Sequence, residues 1–149
     1  MAIAFGGLHK KKCIHRGGKP EDILLGKDGY LALSDFGLCK QLDTGEVAYS
    51  FCGTPEYLSP EILTETGHSF ETDWWTLGIL IYEMIVGFPP FYTGNANNSK
   101  MYNLIKTKQV FFPDAARHNI RMSDECKDFI TKVSSELNLV HFSEFCFRF

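Results

Sequence analysis

The stretch that most constrains this chain is DWWTLGILIYEMIVG, from Asp73 to Gly87. It has helical length and is apolar nearly all round. A helix without a polar face must be surrounded by protein, so the rest of the chain has to wrap it. A mainly α-helical architecture built on one central helix follows. Gly87 and Pro89-Pro90 stop the helix, because glycine suits a left-handed cap and proline cannot continue the turn. Asp73 stands at its N-terminal end. A carboxylate buried there has to meet backbone donors or another side chain.

Residues 15–40, HRGGKPEDILLGKDGYLALSDFGLCK, carry the polar chemistry. Two apolar runs, Ile23–Leu25 and Tyr30–Phe36, flank a Gly-Lys-Asp-Gly turn. That pattern predicts a short β-hairpin, with His15, Arg16, Lys19, Glu21, Asp22 and Asp35 at its ends. Carboxylates and a lysine held by a rigid ribbon suit metal and phosphate binding. Gly17-Gly18 sit in the middle of this turn, where side-chain chemistry would be expected.

Elsewhere, residues 1–12 read as the end of a helix, with LHKKK in its last turn complementing the helix dipole, although Gly6 and Gly7 weaken it. Residues 41–60 form a long loop broken by Gly45, Gly53, Pro55 and Pro60, and its aromatic content favours order. Ser59 with Pro60 starts a short helix. Lys100–Lys108 is amphipathic, and Val110–Pro113 is extended. Ser123 caps a last helix with the stripe Cys126, Phe129, Ile130, Val133. After Lys132 the pattern dissolves.

At 149 residues the chain can bury a core. The net charge of −3 gives no electrostatic reason for nucleic-acid or membrane binding, and no run reaches the length of a membrane span. Five scattered cysteines without a CxxC pair argue against a disulfide framework or zinc site and for a reducing, cytoplasmic or nuclear compartment.

HRGGKPEDILL, SDFG, FCGTPEYLSPEIL and DWWTLGILIYEMIVGFPPF follow one another in the order and spacing of a eukaryotic serine/threonine protein kinase C-lobe. FCGTPEYL and DWWTLG most resemble the AGC group. The resemblance covers about residues 8–132. It implies a partial kinase domain over 1–132 (catalytic loop, magnesium loop, activation loop, central helix), a divergent tail over 133–149, and an absent N-lobe. The activity implied is ATP-dependent phosphorylation of protein Ser/Thr, with magnesium. By the same resemblance, Asp35 and Asp22 take the metal positions, and Lys19 contacts the transferring phosphate. Thr54 orients the catalytic loop, and Leu24 forms the floor under the adenine ring. Arg16 pairs with a phosphorylated Ser50. Phe51, Pro55 and Leu58 form the pocket for the residue after the phosphoacceptor. Glu21 and Glu83 favour basic residues upstream of it, and Asp73 ties the central helix to the catalytic loop.

Three departures shape the functional expectation. The catalytic-base aspartate is Gly17, so no group remains to accept the substrate hydroxyl proton, and such assistance is worth ~10²–10⁴-fold. The second-metal asparagine is Asp22. No glycine-rich loop, strand lysine or helix glutamate precedes His15, so poor ATP affinity is expected. The C-lobe also ends early, and the arginine expected to pair with Glu61 has no match; Arg148 lies in no comparable motif, and an unpaired Glu61 is destabilising. The sharp break at Lys132-Val133-Ser134 fits a splice donor read through into an intron, a gene-model artefact. The expectation is a kinase-like fragment with little or no transfer activity. The alternatives are a non-catalytic module that binds a partner through the substrate-side groove, and a non-functional gene fragment.

Overall fold

The computed structural model describes residues 1–94, 98–107 and 110–135. Helix α3 (Glu71–Val86) is the axis of the fold. Thr72 through Leu80, together with Tyr82 and Val86, are buried along it. Each fully buried large apolar side chain is worth ~1.5–3 kcal/mol, so this one element supplies much of the core. Gly87 caps it in the left-handed conformation, its N–H donating to the Glu83 carbonyl at 2.7 Å. The helix starts two residues ahead of Asp73, which sets the Asp73 carboxylate inside the first turn.

Helices α1 (Ala2–Lys10), α2 (Pro60–Leu63), α4 (Asn98–Thr107), α5 (Ala115–His118) and α6 (Asp124–Ser135) complete the described helices. Helix α1 runs through Gly6 and Gly7 and inserts Phe5 into the core. Its edge meets Trp74 of α3 at a centroid distance of 6.3 Å. Helix α6 packs on α3 at Gly78, where an added Cβ would stand 3.1 Å from Val133 Cγ1. The helix therefore continues past Lys132, with Val133 and Ser134 both buried. Trp75 stacks on Phe91 with ring planes 3° apart, closing the core beyond the central helix.

The predicted hairpin forms from β2 (Ile23–Leu25) and β3 (Leu31–Leu33), antiparallel with Ile23 opposite Leu33. A second ribbon is also present. Strands β1 (Cys13–Ile14) and β4 (Lys40–Gln41) pair antiparallel, and β4 straddles the start of the stretch read as loop. Two-residue strands leave no alternating pattern to detect; this pair exists because Ile14 and Leu42 share a small core with Ala48. Ser59 precedes α2, yet its hydroxyl does not cap that helix. It lies 3.4 Å from the Thr72 hydroxyl instead. The tail from residue 136, including Cys146 and Arg148, lies outside the described residues, as does the predicted helical position Lys108.

Candidate functional site

The site is built on Asp73. Its side chain is completely buried (0% exposed). Oδ2 accepts the His15 N–H at 2.9 Å and Oδ1 the Arg16 N–H at 2.8 Å. Oδ2 also meets His9 Nε2 at 2.8 Å. Three donors therefore satisfy the carboxylate, as a buried charge requires. The two backbone bonds hold Arg16 at φ 63°, a left-handed conformation uncommon for a side-chain-bearing residue. One carboxylate on the central helix thus sets the shape of the 15–19 turn.

That turn forms one wall of a cavity of about 310 Å³ lined by His15, Arg16, Gly17, Lys19, Asp22 and Asp35, closed on the far side by Gly53, Thr54 and Tyr57. Sequence reasoning named Arg16, Gly17, Lys19, Asp22, Asp35 and Thr54, and all six converge here. Asp22 is buried, and its Oδ2 accepts the Gly18 N–H at 3.3 Å. Asp35 is exposed and also left-handed, at φ 54°, with Oδ1 accepting the Gly37 N–H at 3.1 Å. Two carboxylates on one cavity fit a magnesium ion that takes its remaining ligands from water and phosphate. Lys19 supplies the cationic counterpart.

The paired glycines separate into two roles. Gly18 has φ 119°, and a Cβ there would stand 2.9 Å from Phe5 Cζ, so backbone and core both require glycine. Gly17 carries no such backbone requirement. A Cβ on it would point between His15 Nδ1, at 3.2 Å, and Asp22 Oδ2, at 3.5 Å.

The remaining residues sit around the cavity rather than in it. Arg16 Nη1 donates to the Ser50 hydroxyl at 2.9 Å, and Nε to the Leu38 carbonyl at 2.7 Å. Glu83 accepts the Tyr57 hydroxyl. Phe51 is exposed, Pro55 opens the turn that carries Tyr57, and Leu58 is buried beneath Gly53. Leu24 lies on the hairpin, 55% exposed, with Leu25, Tyr30 and Leu31 also exposed. Glu61 is buried; Oε1 accepts the Thr72 hydroxyl at 3.0 Å, and Oε2 has no partner among the described residues.

Sequence reasoning gave no site role of their own to Tyr57, His15 or His9. Tyr57 lines the cavity and its pKa is driven upward, first by burial and then by the hydrogen bond to Glu83, with Glu21 and Asp22 adding negative charge nearby. That grouping sets the Tyr57 phenol near three carboxylates. No sequence spacing signals it, because residues 21, 57 and 83 come from separate elements.

The family pattern for a protein kinase domain matches residues 1–137. The chain belongs to the protein kinase family. Protein kinase 2 of Dictyostelium discoideum is 46% identical over 113 residues, 76% of this chain and 23% of that protein. The serine/threonine-protein kinase sgk-1 of Caenorhabditis elegans is 46% identical over 132 residues, 88% of this chain and 27% of that kinase. YPK2/YKR2, a serine/threonine-protein kinase of Saccharomyces cerevisiae, is 50% identical over 115 residues, 76% and 17% respectively. These relatives agree with the AGC resemblance carried by FCGTPEYL and DWWTLG. This kinase chain spans about a quarter of their length or less. Among its described residues no helix is long and apolar enough to cross a membrane.

Proposed function

We infer that this chain carries the magnesium-side and substrate-side part of a serine/threonine kinase phosphoryl-transfer site, with transfer impaired at residue 17. One observation carries the reading: Gly17 stands on a cavity whose other walls hold Lys19, Asp22, Asp35 and Thr54. In this reading Asp35 and Asp22 hold magnesium against the phosphates of ATP, Lys19 neutralises charge on the transferring group, and Thr54 supports the catalytic turn. Leu24 contributes apolar surface beneath the adenine. The protein substrate lies across Phe51, Pro55 and Leu58, and Glu21 and Glu83 select basic residues in it. The bond from Arg16 to Ser50 supports Ser50 as a phosphorylation site, since a guanidinium already bonded to the hydroxyl would bind the phosphate more strongly. A cytoplasmic or nuclear setting accords with the free cysteines at 13, 39, 52 and 126.

The test is Gly17→Asp in the full chain, assayed for magnesium-dependent transfer from ATP to a basic serine peptide. Restoring a proton acceptor is worth ~10²–10⁴-fold; the new Cβ needs His15 to yield by a few tenths of an ångström. A gain of that order supports the reading, and no gain in a folded variant refutes it. The carboxylates of Glu83 and Glu21 near Tyr57 favour a second reading, a non-catalytic module that binds a basic partner segment. Peptide binding with no transfer in either the parent or Gly17→Asp would support that one.

A further inference from the structure

A second cavity, of about 420 Å³, is bounded by the end of α1, the loop that follows β4 and the segment entering α3. It shares no lining residue with the cavity at the 15–19 turn. Its apolar lining is Leu42, Val47 and Phe70. Leu42 and Phe70 belong to the small core they share with Ile14 and Ala48, so this floor is held from beneath. Val47 keeps 37% of its surface exposed, and an apolar occupant that covers it gains the free energy of that burial.

Two opposite charges line this cavity without meeting. Lys12 is fixed beside the loop, because its carbonyl accepts the Leu42 N–H at 2.8 Å. Its ammonium group pairs with no carboxylate among the described residues. Asp43 donates its backbone N–H to Glu46 Oε2 at 2.9 Å, while its own carboxylate has no donor among the described residues. Glu46 also lines the cavity, but both its oxygens are engaged, Oε2 by Asp43 and Oε1 by Lys40 Nζ at 3.4 Å. The cavity therefore offers an unengaged cation, an unengaged carboxylate and an apolar floor. A cationic ligand would satisfy Asp43 and be repelled by Lys12, and an anionic ligand the reverse. A neutral apolar ligand would engage neither. A zwitterion with an apolar side chain answers all three features at once. We propose that this cavity binds a free apolar α-amino acid of leucine or phenylalanine size. Asp43 holds its ammonium group, Lys12 its carboxylate, and Val47 and Phe70 take the side chain. The site does not depend on the reading of the other cavity as a phosphoryl-transfer site. A pocket of this volume lies within the range of natural small-molecule sites.

Titration of the ¹⁵N-labelled full chain with L-phenylalanine tests this. The amide signals of Val47 and Phe70 shift saturably, with a dissociation constant of roughly 1–10 mM. Glycine, which has no side chain to place on the floor, does not saturate in that range. Phenethylamine lacks the carboxylate and hydrocinnamate lacks the ammonium group. Each binds about twofold to fivefold more weakly than phenylalanine, the worth of one exposed ion pair. Lys12→Met abolishes the preference over phenethylamine, and Asp43→Asn abolishes the preference over hydrocinnamate. Both residues are exposed, so the two variants keep the fold, and their amide spectra verify it. Shifts that fail to saturate with phenylalanine overturn the site. Equal affinity for phenylalanine and its two singly charged analogues overturns the zwitterion, as do preferences that survive the two substitutions.

Discussion

Replacing Asp73 with alanine tests the idea that one carboxylate shapes the 15–19 turn. The substitution removes the acceptor for the His15 and Arg16 N–H groups, at 2.9 and 2.8 Å, and the partner of His9 Nε2, at 2.8 Å. Each buried N–H left unpaired costs about 1–3 kcal/mol, so the two backbone donors alone account for about 2–6. Relief of the buried charge offsets part of that. Arg16 also loses the bonds that hold it at φ 63°, and the turn then relaxes toward ordinary backbone, which recovers a little more. The net expectation is a loss of about 3 kcal/mol, a large share of the ~5–15 kcal/mol that stabilises a typical domain. Urea unfolding of parent and variant measures it as a fall in midpoint at unchanged slope. Amide exchange adds a local readout: protection at His15 and Arg16 falls further than protection along α3. His9→Phe serves as the comparison. It keeps an aromatic ring against Phe70 and Trp74 and removes one of the three donors, so it costs less than Asp73→Ala. A loss below about 0.5 kcal/mol for Asp73→Ala, the range of inconsequential surface changes, refutes the reasoning.

Two further outcomes follow from the packing. His68 is buried, and burial, followed by the positive charges of Arg16 and Lys40, holds its pKa below the usual histidine value against a weaker pull from Asp73. The unfolded chain therefore takes up the proton first, and the stability His68 contributes is full above about pH 6.5 and drains away as pH falls below it. Glu71, raised chiefly by burial, has the opposite sign, its contribution growing as pH falls toward the ordinary glutamate value. Thermal melts of the parent and His68→Gln between about pH 7.5 and 5.5 separate the two: the variant loses less on acidification, and parallel curves would contradict the assignment. At the α3–α6 contact, Gly78→Leu drives a side chain into Val133 and Ser134 and costs about 1–3 kcal/mol or more by overpacking. Urea midpoints read it, and a neutral result would mean that α6 does not pack there.

Most of the architecture was legible because its signals are local. The all-round apolar run from Asp73 and the stop at Gly87 announce a buried helix, and the two apolar runs about a Gly-Lys-Asp-Gly turn announce a hairpin. The β1–β4 ribbon was not legible, since two-residue strands carry no period and form only because distant segments share a core at Ile14, Leu42 and Ala48. The Ser59 hydroxyl was assigned to a cap on local pattern, and a partner on another helix, Thr72, claims it instead. Family motifs made Lys19, Asp22, Asp35 and Thr54 visible as candidates, since each sits in a recognisable short string. They assigned no role to Tyr57 or His15, because the importance of those two lies in what they face.

The sequence by itself determined that the chain has a helical core around residues 73–87, that it is built from protein kinase motifs, and that residue 17 bears no carboxylate. Those facts reside in residue identity and short-range order. Only the tertiary structure decided that Asp73 holds the 15–19 turn by two backbone bonds, that Gly18 is required by its backbone and by Phe5 while Gly17 is not, and that the buried His15 ring has one nitrogen unpaired among the described residues. These depend on distances between residues as many as 64 positions apart, as in the contact of His9 with Asp73. Hydrogen bonds and packing act over a few ångströms of space, whatever the separation along the chain.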